Sequence, residues 1–149
     1  IKQVAADLSM ELSGLKTFVT LSPIPGLVDW IDARAPEADR KDGERMRALA
    51  AQYLLKAKRS DGLPLDPVAR FHLGNGAEVQ HVHAGADLSD KGLRQSGGVM
   101  VNYLYNLGRV TQNHERFAAA HDIVASSEIK ALAATAEKAA DKEADWANL

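Results

Sequence analysis

The sequence predicts an α/β (α+β) fold, a mixed sheet flanked by helices, and two observations predict it. Apolar side chains recur every three or four residues in some segments, as on one helix face, and alternate or run together with Val and Tyr in others, as in strands. These segments follow one another as helix, strand, helices, strand, strand, helices, an order that suits one sheet layered against helices. With 149 residues, 46% of them apolar, the chain can bury one core of ordinary size, so residues 1–149 read as a single domain.

Ile1, Val4, Leu8, Leu12 and Leu15 predict an amphipathic helix over residues 1–13 with Gly14 as its stop, and its abrupt start, without Met or an N-cap signal, reads as a cut from something longer. Lys16 to Ser22 reads as a strand in which Thr20 and Ser22 share one face while Val19 and Leu21 point the other way. Pro23 and Pro25 end it, since each proline removes a backbone donor and fixes φ, and this leaves Ser22 at the strand's C-terminal edge. Leu27 to Ile31 is a short helix candidate, and Asp32 to Gly43 is a charged surface loop. Over residues 44–58, Met46, Leu49, Ala50, Tyr53, Leu54 and Ala57 form the apolar stripe of a helix.

Asp66-Pro67 is a strong helix start, with the carboxylate capping free N–H groups and proline in the first turn. Gly74-Asn75-Gly76 must stop this helix early, which places His72 in its last turn beside a glycine-flanked loop. Residues 77–83 and 99–105 are strand candidates, with Leu88 to Ser96 a helix candidate between them. Thr111 to His121 and Ser127 to Ala147 are helical, the second Ala-rich and weakly amphipathic.

A net charge of −2 supplies no basic field, so neither nucleic acid nor an anionic membrane surface is an expected partner. The absence of Cys excludes disulfides, thiolate–metal sites and a Cys nucleophile, and suits a reducing, cytoplasmic setting. No apolar run approaches the roughly 18 to 20 residues of a membrane span, and residues 1–15 resemble neither a signal nor a transit peptide. His81 and His83 share a strand face, yet no third metal ligand accompanies them, so no metal is expected. His114 and His121 read as solvated, Tyr103 and Tyr105 as core residues of one strand face, and Lys56, Lys58 and Arg59 as a solvated helix end.

Three ordered stretches carry a family resemblance: Leu21-Ser22-Pro23-Ile24-Pro25-Gly26, the run from Leu65 through Phe71-His72-Leu73-Gly74-Asn75-Gly76 to Ala77, and Gly97-Gly98 through Tyr103-Leu104-Tyr105. Together they resemble the malonyl-CoA decarboxylase family. The resemblance implies the C-terminal part of a larger catalytic domain, with the second half of a sheet like that of GNAT-type N-acetyltransferases. It implies a lyase acting on malonyl-CoA, with Ser22 as proton acceptor and His72 as proton donor. No separate cofactor is implied, because coenzyme A is part of the substrate. The family's N-terminal part, through which a homo-oligomer would assemble, and the loop that receives the coenzyme A pyrophosphate would precede Ile1. The segment from Asp32 to Asp42 is shorter than in some members.

The chemistry fits these residue types. Loss of CO2 from a malonyl thioester leaves an enolate, so an enzyme must orient the carboxylate, stabilise the enolate oxygen and protonate C2. His72 at a helix C-terminus is expected to favour its charged form around an ordinary pKa of about 6.5. Ser22 can orient the carboxylate or bond the thioester oxygen. Asn75, the Gly74 and Gly76 amides and Tyr105 are the further substrate-binding candidates. Two alternatives are a coenzyme A-dependent acyltransferase of the same fold and a non-catalytic fragment or interaction module.

Overall fold

The computed structural model describes residues 16–147. The helix predicted over residues 1–13 lies outside the described residues. Strand β1 (Thr17–Pro23) leads through Ile24-Pro25-Gly26 into α1 (Leu27–Arg34), and the charged loop then reaches α2 (Gly43–Lys56). Next come α3 (Pro67–Gly74), β2 (Glu78–His83), α4 (Asp90–Ser96), β3 (Met100–Asn106), α5 (Val110–Ala120) and α6 (Ser127–Ala147). The predicted elements are all present within a few residues of their expected ends, apart from the helix outside the described residues.

The sheet departs from its expected mixed character. Its order is β1-β3-β2, and β3 pairs antiparallel with both neighbours. Among the described residues, parallel pairing is confined to the isolated bridge Val79–Ala125. Between β2 and β3 the short helix α4 ends at Gly97 in a left-handed turn, and the chain comes back beside β2 rather than crossing the sheet. In β1 the register Phe18↔Tyr105, Thr20↔Tyr103, Ser22↔Val101 lays Phe18, Thr20 and Ser22 beside the three buried residues of β3. Val19 and Leu21 face out and stay half exposed, as the alternation requires.

The inward face meets α2 and α3 in one apolar cluster that includes Met46, Leu49, Tyr53, Leu73, Val79, Val82, Val101 and Tyr103. Helix α6 lies along α2. Its Ile129, Ala133 and Ala136 are fully buried at spacings of four and three, so small side chains let the two backbones approach even though the helix has few large apolar residues.

Two local devices hold the ends that matter. Ser96 accepts the Ile24 N–H at 3.1 Å and donates to the Ile24 carbonyl at 2.9 Å, tying the proline turn after Ser22 to α4. The Asp66 carboxylate caps the Ala69 N–H at 2.9 Å at the start of α3. At the other end Gly76 has φ +89°, and a Cβ there would sit 2.3 Å from the Val110 carbonyl oxygen. Neither the backbone angle nor the space tolerates a side chain. Gly76→Ala is therefore expected to lower unfolding free energy by about 2 kcal/mol or more. Chemical denaturation of the variant beside the parent checks this, and an unchanged midpoint would contradict it.

Candidate active site

β1 and the last turn of α3 bring Ser22 and His72 together although 50 residues separate them in the chain, with Ser22 Oγ 3.1 Å from His72 Nε2. The other ring nitrogen, Nδ1, lies 2.6 Å from the Tyr105 hydroxyl. The three residues form a continuous chain from β3 through α3 to β1. Ser22 and His72 are 6% and 9% exposed, so the chain is shielded from solvent but reachable.

Aromatic rings fix the imidazole on several sides. It stacks on Tyr103 with centroids 4.3 Å apart and planes 18° from parallel, and Phe71 meets its edge at 5.1 Å. Phe18 stacks on Tyr105 at 4.7 Å, steadying the phenol from β1. Such contacts leave the ring few alternative orientations.

The hydrogen-bond pattern assigns the tautomer. The Tyr105 oxygen lies between the Asn75 amide, which can only donate to it, and His72 Nδ1, so its own hydrogen is directed at Nδ1. Nδ1 is then the acceptor, and Nε2 carries the hydrogen that it donates to Ser22 Oγ. The Ser22 hydroxyl hydrogen is left free to point at a ligand.

Burial corrects the expected charge of His72. The helix-end position favours the imidazolium, but removal from water outweighs it and pushes the imidazole down to about 4. The ring is neutral at pH 7. Burial also raises the Tyr105 phenol above its ordinary value, while the adjacent Asn75 amide pulls the other way. The phenol is un-ionised at neutral pH.

The loop after His72 contributes less than expected through its backbone. The Gly76 N–H donates to the Leu73 carbonyl at 3.0 Å and the Asn75 N–H to the His72 carbonyl at 3.1 Å, so both amides are committed to the turn. Gly76 serves the site by its conformation. The Asn75 side chain is different: its buried Nδ2 lies beside the Tyr105 oxygen with no hydrogen bond of good geometry, and since only one of its two hydrogens can serve that oxygen, the other is an open donor beside the site.

The remaining candidates have structural partners. His81 Nδ1 meets Glu128 at 2.7 Å and His83 Nε2 meets Asn102 at 2.5 Å. Among the described residues no cluster of three or more His, Cys, Asp or Glu could hold a metal. Lys56 pairs with Glu137 at 3.8 Å and Arg59 with Asp61 at 3.1 Å on an exposed helix end. His114, expected to be solvated, is instead half buried with Nδ1 2.6 Å from the Gly74 carbonyl, a C-terminal cap for α3 that sequence spacing does not reveal. Sequence reading also missed Ser96 and the stacking role of Tyr103. A cleft of about 490 Å³ opens beside the end of β1, between Pro23, Pro25 and Met100 on one side and Lys91 and Gln95 of α4 on the other.

A family model described as the malonyl-CoA decarboxylase C-terminal domain matches residues 1–42 and 34–144. The chain belongs to this family. The match divides within the charged segment that was expected to vary in length. The malonyl-CoA decarboxylase from Rhodopseudomonas palustris, a solved structure, superposes with TM-score 0.77 at 38% identity over 88% of this chain and 36% of its own. The one from Agrobacterium vitis gives TM-score 0.75 at 40% identity over 88% of this chain and 39% of its own. The mitochondrial malonyl-CoA decarboxylase of Rattus norvegicus is 32% identical over 90% of this chain. The chain spans about a third of the length of these relatives, 36% for the rat protein. Among the described residues no helix is long and apolar enough to cross a membrane.

His72 links stability to pH. In the unfolded chain a histidine takes up its proton near pH 6.5, whereas in the folded site it does so only near pH 4, so between those values acid favours unfolding. The contribution is full above about pH 6.5 and is lost as pH falls through about 4, a change of about 3 kcal/mol. His72→Gln is expected to lose correspondingly less stability than the parent between pH 7 and pH 4. Parallel acid-unfolding curves in the two proteins would contradict the depressed value.

Proposed function

We propose that the chain supplies the acid–base half of an active site that decarboxylates malonyl-CoA to acetyl-CoA and CO2. The observation that carries this reading is the buried Tyr105–His72–Ser22 hydrogen-bonded chain, in a member of the family. The sheet is read as the second half of a GNAT-like acyl-CoA-binding fold. No separate organic cofactor is needed, because the thioester is the electron sink.

In the reaction, the bond between C2 and the carboxylate carbon breaks, its electron pair moves into the thioester as an enolate, and CO2 leaves. The enolate collapses by taking a proton at C2, giving the acetyl thioester. His72 is the donor. The carboxylate of an incoming malonyl group, set beside a neutral imidazole in a site of low dielectric, raises its pKa and draws in a proton. When CO2 leaves, the negative charge stays behind as the enolate, whose C2 is far more basic than the lost carboxylate, and the proton passes from the imidazolium to C2. Tyr105 suits both states, because its hydroxyl donates to a bare Nδ1 and accepts from a protonated one. Ser22, already accepting from Nε2, uses its free hydrogen on the substrate carboxylate and holds it out of the thioester plane.

This reading makes the protein a lyase of malonate and fatty acid metabolism. Two of its properties rest on composition and resemblance: a cytoplasmic location and a homo-oligomer.

The test is malonyl-CoA incubated with the protein that carries this chain, without any amine acceptor. Acetyl-CoA and CO2 in equal amounts are expected, and a requirement for an amine would point to acyl transfer instead. His72→Ala and Ser22→Ala are each expected to lower kcat by about 10²-fold or more with the fold retained. Tyr105→Phe is expected to lower it by about tenfold, through lost orientation of the imidazole. A kcat within about twofold of the parent in His72→Ala or Ser22→Ala removes that residue from the mechanism.

A further inference from the structure

Thr20 has a side-chain oxygen that the fold buries and does not use. Its Oγ1 is removed from solvent yet makes no hydrogen bond among the described residues. Hydroxyls in that state are uncommon in folded proteins, because desolvation is not recovered unless a ligand or water completes the bond.

The position of Thr20 says what that ligand meets. Phe18, Thr20 and Ser22 share the inward face of β1, at steps of about 6.6 Å along the strand. Phe18 stacks on Tyr105 and Ser22 is bonded to His72, so Thr20 stands between the two contacts that β1 makes with the hydrogen-bonded chain. Its cross-strand partner is Tyr103, the ring on which His72 stacks. The open donor on the α3 side is Asn75 Nδ2, beside the Tyr105 phenol. Tyr103 also has an unpartnered hydroxyl, but that residue is 0% exposed and lies in the core, out of a ligand's reach.

We propose that Thr20 is a catalytic residue that donates its hydroxyl hydrogen to the substrate thioester oxygen as enolate charge develops there, with the Asn75 amide as second donor. This rests on the decarboxylase reading above. Ser22 and His72 are occupied by the carboxylate and the proton, which leaves the oxygen that gains charge without a donor from that pair. Thr20 and Asn75 are neutral and fixed by the fold; Thr20 Oγ1 has no competing partner among the described residues, and the Asn75 amide has a second hydrogen beyond the one that can serve Tyr105. Donors of this kind need no reorganisation when charge appears, and they do not hold the ground-state carboxylate as a cation would.

Thr20→Val and Thr20→Ser, made in the protein that carries this chain, test the assignment. The valine variant is expected to lose about tenfold or more in kcat for malonyl-CoA, with KM within about threefold of the parent, whereas the serine variant stays within about threefold in both. The valine variant is also expected to unfold at the same or a higher temperature than the parent, because an unpartnered buried hydroxyl gives way to a methyl group. A purely structural threonine would give the opposite sign. An unchanged kcat in the valine variant, a loss confined to KM, a matching loss in the serine variant, or a lowered unfolding temperature would each overturn the assignment. A parent protein that releases no CO2 sinks the decarboxylase reading and this inference with it. An active parent with an unaffected valine variant sinks the inference alone.

Discussion

The burial of one imidazole sets the terms for the rest of the site. His72 is pressed between the Tyr103 ring and the edge of Phe71, and each of its nitrogens finds a hydroxyl, Ser22 on one side and Tyr105 on the other. Both hydroxyls can reverse their donor and acceptor roles, so the ring is satisfied whether neutral or charged. Burial makes the neutral form the resting one and leaves a charged ligand to reverse the balance. A solvated histidine would sit near its ordinary pKa and would gain far less from an incoming carboxylate.

That arrangement depends on two chain ends held still. The proline turn stops β1 one residue after Ser22, and Ser96 clamps it through both polar backbone atoms of Ile24. Helix α3 is fixed at its start by the buried Asp66 cap and at its end by Gly76, whose left-handed backbone the neighbouring Val110 carbonyl makes irreplaceable. Beyond Gly76, Asn113 donates to the Gly76 carbonyl at 3.1 Å and to Glu78 at 2.9 Å, and Arg109 grips the same carboxylate with two bonds. Burial opposes the charge on Glu78, but these bonds hold its pKa below the usual value. The loop carrying Asn75 is thereby tied to the first turn of α5.

What the sequence made legible was local. Prolines at 23 and 25 announce a strand end, Asp66-Pro67 a helix start and Gly74-Asn75-Gly76 its stop, because each acts within a few residues of itself. These signals were enough to give Ser22 and His72 their addresses. The pairing of β1 with β3 was not legible, since nothing in a strand's own pattern names its neighbour, and the antiparallel sheet emerged only in three dimensions. The same limit hid the His114 cap and the role of Tyr103 as a platform. The charge of His72 was misjudged for a physical reason: a helix end is visible in sequence, whereas the desolvation that outweighs it is a property of the packed core. Thr20 read as an ordinary strand residue, because an unmet hydrogen bond has no sequence signature.

The central claim is that the resting site holds a neutral His72 with its hydrogen on Nε2, aimed at Ser22. Nitrogen-15 NMR of the labelled imidazole, followed from pH 7 downwards, measures this directly. At pH 7 the Nδ1 signal of an unprotonated acceptor and the Nε2 signal of an N–H are expected, with a titration midpoint well below 6.5. An imidazolium at pH 7, or a hydrogen found on Nδ1, would contradict it.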